Sequence, residues 1–181
     1  MQLIILDRDG VINEDSDEFI KSPQEWTPIR GSLEAIARLH RAGWRVVVAT
    51  NQSGIARKLF DLDTLARIHA TMHSRAIESG GLIDAVFFCP HGPDDGCSCR
   101  KPLPGMFHDI AARLHLTLQG VPAIGDSLRD LQAANAAAAR PLLVRTGKGL
   151  QTLAHPELDA NVAVFNDLAS AVDAVLTPNA G

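Results

Sequence analysis

The chain is poor in aromatic residues, with no tyrosine, two tryptophans and six phenylalanines among 181 residues. Its core must therefore be aliphatic, and 46% apolar with 21% charged residues is the balance of an Ala-, Leu- and Val-rich globular protein. Basic charge is not in excess either. The formal net charge is −4, which argues against a nucleic-acid-binding face and confines any anion site to a local cluster. No apolar run approaches the length of a bilayer span or a signal-peptide core, so no membrane association is expected and the cytoplasm is the expected location. Cysteine is scarce, with only Cys89, Cys97 and Cys99. An odd, clustered set is poor material for a disulfide framework and better material for a metal. The length suits one domain over residues 1–181, with no internal repeat, and a monomer is the expectation.

What the chain does have is a short apolar strand that stops in acid. Leu3, Ile4, Ile5 and Leu6 are continuously apolar, as befits a central parallel strand covered on both faces. Asp7-Arg8-Asp9-Gly10 follows, and then Val11 and Ile12 resume the apolar run. In open α/β sheets ligands bind beyond the carboxyl ends of the strands, so Asp7 and Asp9 fall where a site is expected. Two acids separated by one residue call for a cation, a shared proton or open solvent. Taken alone, the pair reads equally well as a polar turn.

The remaining pattern alternates strands with helices. Residues 13–30 form a polar excursion that Phe19, Ile20 and Trp26 could pin down. Ser32 opens a helix with Leu33, Ile36, Ala37 and His40 on one face, closed at Ala42-Gly43. Residues 44–49 make a second strand, and from Asp61 a long helix places Leu65, His69, Met72 and Ala76 on one face before Gly80-Gly81. A third strand covers 83–88. Pro104-Gly105 starts a helix with Phe107, Ile110, Ala111 and Leu114 aligned, and a fourth strand covers 121–124. An alanine-rich helix spans 128–139. Strands at 141–144 and 162–165 and a helix at 168–176 follow, with the tail from Thr177 expected to fray. The sum predicts an α/β fold with a parallel, doubly wound, Rossmann-type sheet.

Other strand ends carry matching chemistry. Thr50 ends the second strand, where its hydroxyl and nearby N–H groups can hold a phosphate oxygen, although Thr50-Asn51-Gln52-Ser53-Gly54 also reads as an ordinary turn. Lys101 offers an ammonium beyond the third strand, and Asp126 follows the fourth. Asp7, Asp126 and the backbone carbonyl of Asp9 suit a hard, oxygen-ligated cation of the Mg²⁺ type. Asp130, one turn further on, can orient the lysine or simply sit on the helix surface. Cys89, His91, Cys97 and Cys99 make a complete tetrahedral set for a structural Zn²⁺ with no open position, and Cys99 leads directly into Arg100-Lys101. No stretch is long enough for a separate cap domain. Short loops then line this edge of the sheet: Asp15, Asp17 and Glu18 can accept hydrogen bonds, and Arg57 and Arg100 can hold a phosphate bidentately.

Asp7-Arg8-Asp9-Gly10-Val11-Ile12, Thr50, Lys101 and Asp126 in this order resemble the four motifs of the haloacid dehalogenase phosphatases. The resemblance implies a capless fold of that type, Asp7 as nucleophile and Asp9 as general acid and base. Within the superfamily the chain looks like the heptose bisphosphate phosphatases, on the strength of residues 50–57, Cys99-Arg100-Lys101-Pro102, Pro104-Gly105-Met106 and residues 143–148. That likeness implies Mg²⁺-dependent removal of the 7-phosphate from D-glycero-D-manno-heptose 1,7-bisphosphate, a small-molecule substrate on the route to nucleotide-activated heptose and lipopolysaccharide. It also implies that Asn51, Gln52 and Ser53 line the sugar site beside Asp15 to Glu18, and that Arg100 contributes to recognition. Ser127 departs from the lysine that such relatives often carry, and residues 15–26 depart from their Gly-Tyr pattern. Histidinol-phosphate phosphatases share the catalytic motifs and the Cys/His loop, but not Gly54-Ile55-Ala56-Arg57. A zinc-stabilised phosphate-binding module without turnover would have no use for Asp9.

Overall fold

A computed structural model describes residues 2–177 and contains a single six-stranded parallel sheet. Its strands are β1 (Gln2–Leu6), β2 (Trp44–Asn51), β3 (Ala85–Cys89), β4 (Pro122–Gly125), β5 (Arg140–Val144) and β6 (Ala163–Phe165), in the spatial order β3-β2-β1-β4-β5-β6. Strands are added outward from β1 to β3 on one side and from β4 to β6 on the other, so the crevice beyond the carboxyl ends of the parallel neighbours β1 and β4 lies at the switch point where doubly wound folds bind ligands. The helices are α1 (Ser32–Arg41), α2 (Leu62–Glu78), α3 (Gly105–Leu114), α4 (Leu128–Ala136), α5 (Gly149–Leu153) and α6 (Leu168–Leu176). None among the described residues is long and apolar enough to cross a membrane.

Alternation along β1 separates two cores. Ile4 and Leu6 pack with α1, α2 and α6 residues such as Ile36, Met72 and Val172, while Leu3 and Ile5 pack with Phe107 and Ile110 of α3 and Ala133 of α4. Both faces of β1 are thus covered, which is why its run of apolar residues is continuous. The helix starts follow capping chemistry: Asp61 accepts from the Thr64 N–H at 2.8 Å, and Asp167 and Ser170 form a reciprocal box at the start of α6.

Several boundaries differ from those the sequence predicts. Strand β2 runs on through Asn51, because Thr50 and Asn51 pair with Phe88 and Cys89 of β3. Strand β3 is displaced toward its carboxyl end for the same reason, which makes Cys89 a strand residue. Helix α4 stops at Ala136, and Ala138 adopts a left-handed conformation (φ 60°) that turns the chain into β5. Helix α5 was not expected, since five residues show no usable periodicity. His40 is exposed and does not share the buried face of α1. The tail beyond residue 177 lies outside the described residues.

The polar excursion is fixed by few but specific contacts. Ile20 and Trp26 are buried in the α1/α2/α6 core, whereas Phe19 is only half-buried and does not anchor the loop. The Trp26 indole donates to Asn13 Oδ1 at 3.0 Å, and Asn13 Nδ2 in turn donates to Asp9 Oδ1 and to the Glu14 carbonyl, each at 2.9 Å. Trp26→Phe keeps the ring in the core but leaves a buried acceptor without its donor. The expected loss is about 1–3 kcal/mol of unfolding free energy in a urea titration, and an unchanged midpoint would show that the indole bond contributes nothing.

Candidate active site

The carboxyl ends of β1, β2 and β4 deliver their polar residues to one point. Asp7 follows β1, Thr50 lies at the end of β2, and Asp126 follows β4. Between them sits Lys101, whose Nζ lies 3.0 Å from Asp7 Oδ1 and 2.6 Å from Asp130 Oδ1, and donates to the Ala49 carbonyl at 2.7 Å. With a side chain only 2% exposed, Lys101 is a buried cation. Its loop folds back over β2, where Asn51 Nδ2 donates to the Lys101 carbonyl and the Lys101 N–H donates to Asn51 Oδ1. Asp130 is likewise buried, not a helix-surface acid. It accepts from the Ser127 N–H and hydroxyl, which caps α4, and its charge is held below the usual carboxylate range: burial opposes this, but Lys101 and Ser127 prevail.

Asp7, Asp126 and Asp130 bring carboxylate oxygens within 4.8 Å of one another. Burial raises Asp7 to about 7 and Asp126 to about 8, and the neighbouring acids add to both shifts. Asp7 Oδ1 is buried with no aligned hydrogen bond. Asp126 is aimed by the Lys148 N–H, which donates to its Oδ2 at 2.7 Å, while Thr152 Oγ1 donates to its carbonyl. Two glycines press against this carboxylate: a Cβ on Gly10 (φ 80°) would lie 2.1 Å from Asp126 Oδ2, and one on Gly147 would lie 2.2 Å away. An all-oxygen group of three clustered acids, two of them raised first by burial and then by their acidic neighbours, fits a hard divalent cation.

Asp9 stands apart from this trio. Its carboxylate accepts from Arg8 Nε at 3.0 Å and Nη2 at 2.8 Å, from Asn13 Nδ2, and from Gln52 Nε2 at 2.9 Å. Burial would raise its pKa, but Arg8 and these donors outweigh burial and hold it low. Any metal contact from Asp9 would come from its main chain. Gln52 also donates to Thr50 Oγ1 at 2.9 Å, so one amide ties Asp9 to the end of β2.

A cleft of about 300 Å³ opens above these groups. Asp15, Asp17, Ser53, Arg57 and Arg100 line it, as do Asn51 and Gln52, although those two amides are already committed to Lys101, Asp9 and Thr50. Glu18 does not line it; it is exposed, and its N–H donates to the Ser16 Oγ. Asp17 is 95% exposed at the rim. Among the lining residues that sequence reasoning did not assign to the site are Arg8, Phe19, Arg129 and Lys148. Phe19 lies under the Arg57 guanidinium at 5.6 Å, and Lys148 Nζ reaches Asp15 Oδ2 at 3.3 Å. The Arg100 pKa is lowered by burial, then by Arg129 and to a smaller degree by Arg57, so three cations crowd one wall of the cleft.

Cys89, His91, Cys97 and Cys99 converge beside the cleft. Cys89 Sγ lies 3.6 Å from Cys97 Sγ, 3.1 Å from Cys99 Sγ and 3.6 Å from His91 Nδ1, and His91 Nδ1 lies 3.4 Å from Cys99 Sγ. Tetrahedral Zn–S bonds of about 2.3 Å imply ligand separations of roughly 3.5–3.8 Å, which these distances approach. Burial and then the adjacent thiols push Cys89 up to about 12. Arg100 Nη1 donates to the His91 carbonyl at 3.2 Å, so the same loop positions the guanidinium in the cleft.

Comparison with known proteins agrees with this geometry. A family model described as HAD-hydrolase-like matches residues 98–171, and one described as polynucleotide kinase 3 phosphatase matches residues 2–126. A D-glycero-β-D-manno-heptose-1,7-bisphosphate 7-phosphatase of Bordetella bronchiseptica is 60% identical over 97% of this chain and 98% of its own length. One from Pseudomonas aeruginosa is 53% identical over 96% and 97%. Among solved structures, the D,D-heptose 1,7-bisphosphate phosphatase of B. bronchiseptica, complexed with magnesium and phosphate, superposes with a TM-score of 0.95 at 60% identity, covering 97% of this chain and 98% of that one. The enzyme from Burkholderia thailandensis gives 0.78 at 46% identity, covering 98% and 99%. With a haloacid-dehalogenase-type sheet, three converging acids and full-length relatives at these identities, the chain belongs to the D-glycero-β-D-manno-heptose-1,7-bisphosphate 7-phosphatase family of HAD-like hydrolases.

Proposed function

We propose that this chain, acting as a single-domain monomer without a cap, removes the 7-phosphate from D-glycero-β-D-manno-heptose 1,7-bisphosphate through a phosphorylated Asp7. The observation that carries this reading is the joining, in one cleft, of an acid floor containing Lys101 with a wall of three arginines. The floor suits a phosphoryl group in transfer. The wall suits a second phosphate, which a monophosphate substrate would lack.

The chemistry follows from the contacts. Asp7 attacks phosphorus, the bond to the sugar oxygen breaks, and Asp9 gives that oxygen a proton. Asp9 then takes a proton from the water that attacks the phosphorus of the aspartyl-phosphate, which frees Asp7 and inorganic phosphate. Arg8 holds Asp9 ionised in the free protein, and a phosphate dianion brought beside it works against Arg8 and favours the protonated form needed first. Lys101 offsets charge on the transferring group, and Thr50 offers a hydroxyl to it. Asp7, Asp126 and the Asp9 carbonyl would hold Mg²⁺, which when bound would neutralise the acids and polarise a phosphoryl oxygen. Asp15 and Ser53 face the sugar from the loops.

The arginine wall also favours this substrate over histidinol phosphate, whose ammonium group it would repel. Arg100→Ala is expected to lower kcat/KM for the heptose bisphosphate by about 1.5–3 kcal/mol while barely affecting p-nitrophenyl phosphate. Equal losses on both would assign Arg100 to the transferred group, and faster hydrolysis of histidinol phosphate than of the bisphosphate would overturn the substrate reading.

The Cys/His cluster supports a structural Zn²⁺ that fixes the segment from Cys89 to Lys101. Protein purified without chelators is expected to hold about one zinc per chain, and Cys97→Ser to lose zinc and thermal stability together. Metal analysis that finds no zinc, with a mutant that melts normally, would refute this assignment.

A further inference from the structure

His69 lies on α2, buried, and the chemistry above gives it no part. Its Nε2 is 3.4 Å from Arg8 Nη1. Arg8 is itself 1% exposed, and its Nε and Nη2 are both spent on Asp9, which leaves Nη1 facing the imidazole. A guanidinium only donates, so Nε2 must accept and the ring proton must sit on Nδ1. Burial, and then the charge of Arg8, push His69 down to about 3, so the ring is neutral and its lone pair is free to accept. The ring is also seated against Phe88 of β3, with centroids 6.1 Å apart, which limits its movement.

We propose that His69 is a positioning residue for the proton-transfer step: by accepting from Arg8 Nη1 it fixes the guanidinium in the plane that grips both Asp9 oxygens, and so aims Asp9 at the leaving oxygen. This inference rests on the acid–base reading of Asp9. The chain of contacts is short. Helix α2 carries His69, His69 orients Arg8, and Arg8 orients Asp9, with Asn13 and Gln52 completing the grip from other sides. Without an acceptor on Nη1, a buried donor would be unsatisfied, and the guanidinium would gain by rotating away from Asp9.

The test separates positioning from packing by the leaving group. A sugar alkoxide needs protonation, whereas p-nitrophenolate leaves without it, so loss of aim at Asp9 must lower kcat/KM, which reports only the transfer to Asp7, for the former and not the latter. His69→Phe is expected to lower kcat/KM for the heptose bisphosphate roughly tenfold with KM little changed, to spare kcat/KM for p-nitrophenyl phosphate, and to add nothing in an Asp9→Asn background. His69→Gln, which retains an acceptor, should restore most of the activity. Should His69→Phe not fold, His69→Asn, too short to reach Arg8, carries the same comparison. Equal losses on both substrates, or a full additional loss in the Asp9→Asn background, would overturn the inference. An Asp9→Asn protein as active as wild type on the bisphosphate would instead overturn the acid–base reading.

Discussion

The ammonium of Lys101, enclosed by Asp7, Asp130 and the Ala49 carbonyl, is the contact on which the site depends. A buried cation is tolerated only where acceptors compensate it closely, and removing one partner of such a pair typically costs about 3–5 kcal/mol because the other is left uncompensated. That requirement fixes more than the lysine. It demands that β1 end at Asp7, that β2 end so as to present a carbonyl, and that α4 begin with Ser127 and Asp130 turned inward. The sheet order places these ends side by side at its switch point, which is where the fold leaves a crevice.

Lys101 reaches that point from a loop, and loops need external restraint to position a side chain well. Three restraints are present. Asn51 pairs reciprocally with the Lys101 backbone, the Gly105 N–H donates to the Ser98 carbonyl at 3.1 Å, and the cysteine and histidine side chains gather the preceding segment. Arg100 gains its place in the cleft from the same restraints. One short segment thus positions two cations, and the proposed reading assigns the buried lysine to the transferred phosphoryl group and the arginine to the rest of the substrate.

The sequence carried the floor of the site clearly and its walls poorly. Asp7, Thr50 and Asp126 were legible because apolar strand runs break off at each of them, and helix α6 was legible at its bounds, 168–176. The burial of Lys101 was not legible, since nothing local indicates that its loop dips back over β2. Arg8 passed for a turn residue because its acceptor His69 lies 61 positions away on α2. Arg129 and Lys148 carry no local signal of a site, and the packing of α4 and α5 around Asp126 brings them to the cleft. Glu18 shows the opposite error, an acid in the right loop that does not line the cleft.

All of these contacts bear on one claim, that the phosphoryl group passes through Asp7 and is not taken directly by water. Two in-line displacements at phosphorus restore its configuration, whereas a single attack by water inverts it. Hydrolysis of a substrate whose 7-thiophosphate is made chiral with two oxygen isotopes, carried out in water labelled with the third, therefore tests the account most directly. Net retention of configuration in the released chiral thiophosphate is the predicted result, and inversion would contradict it.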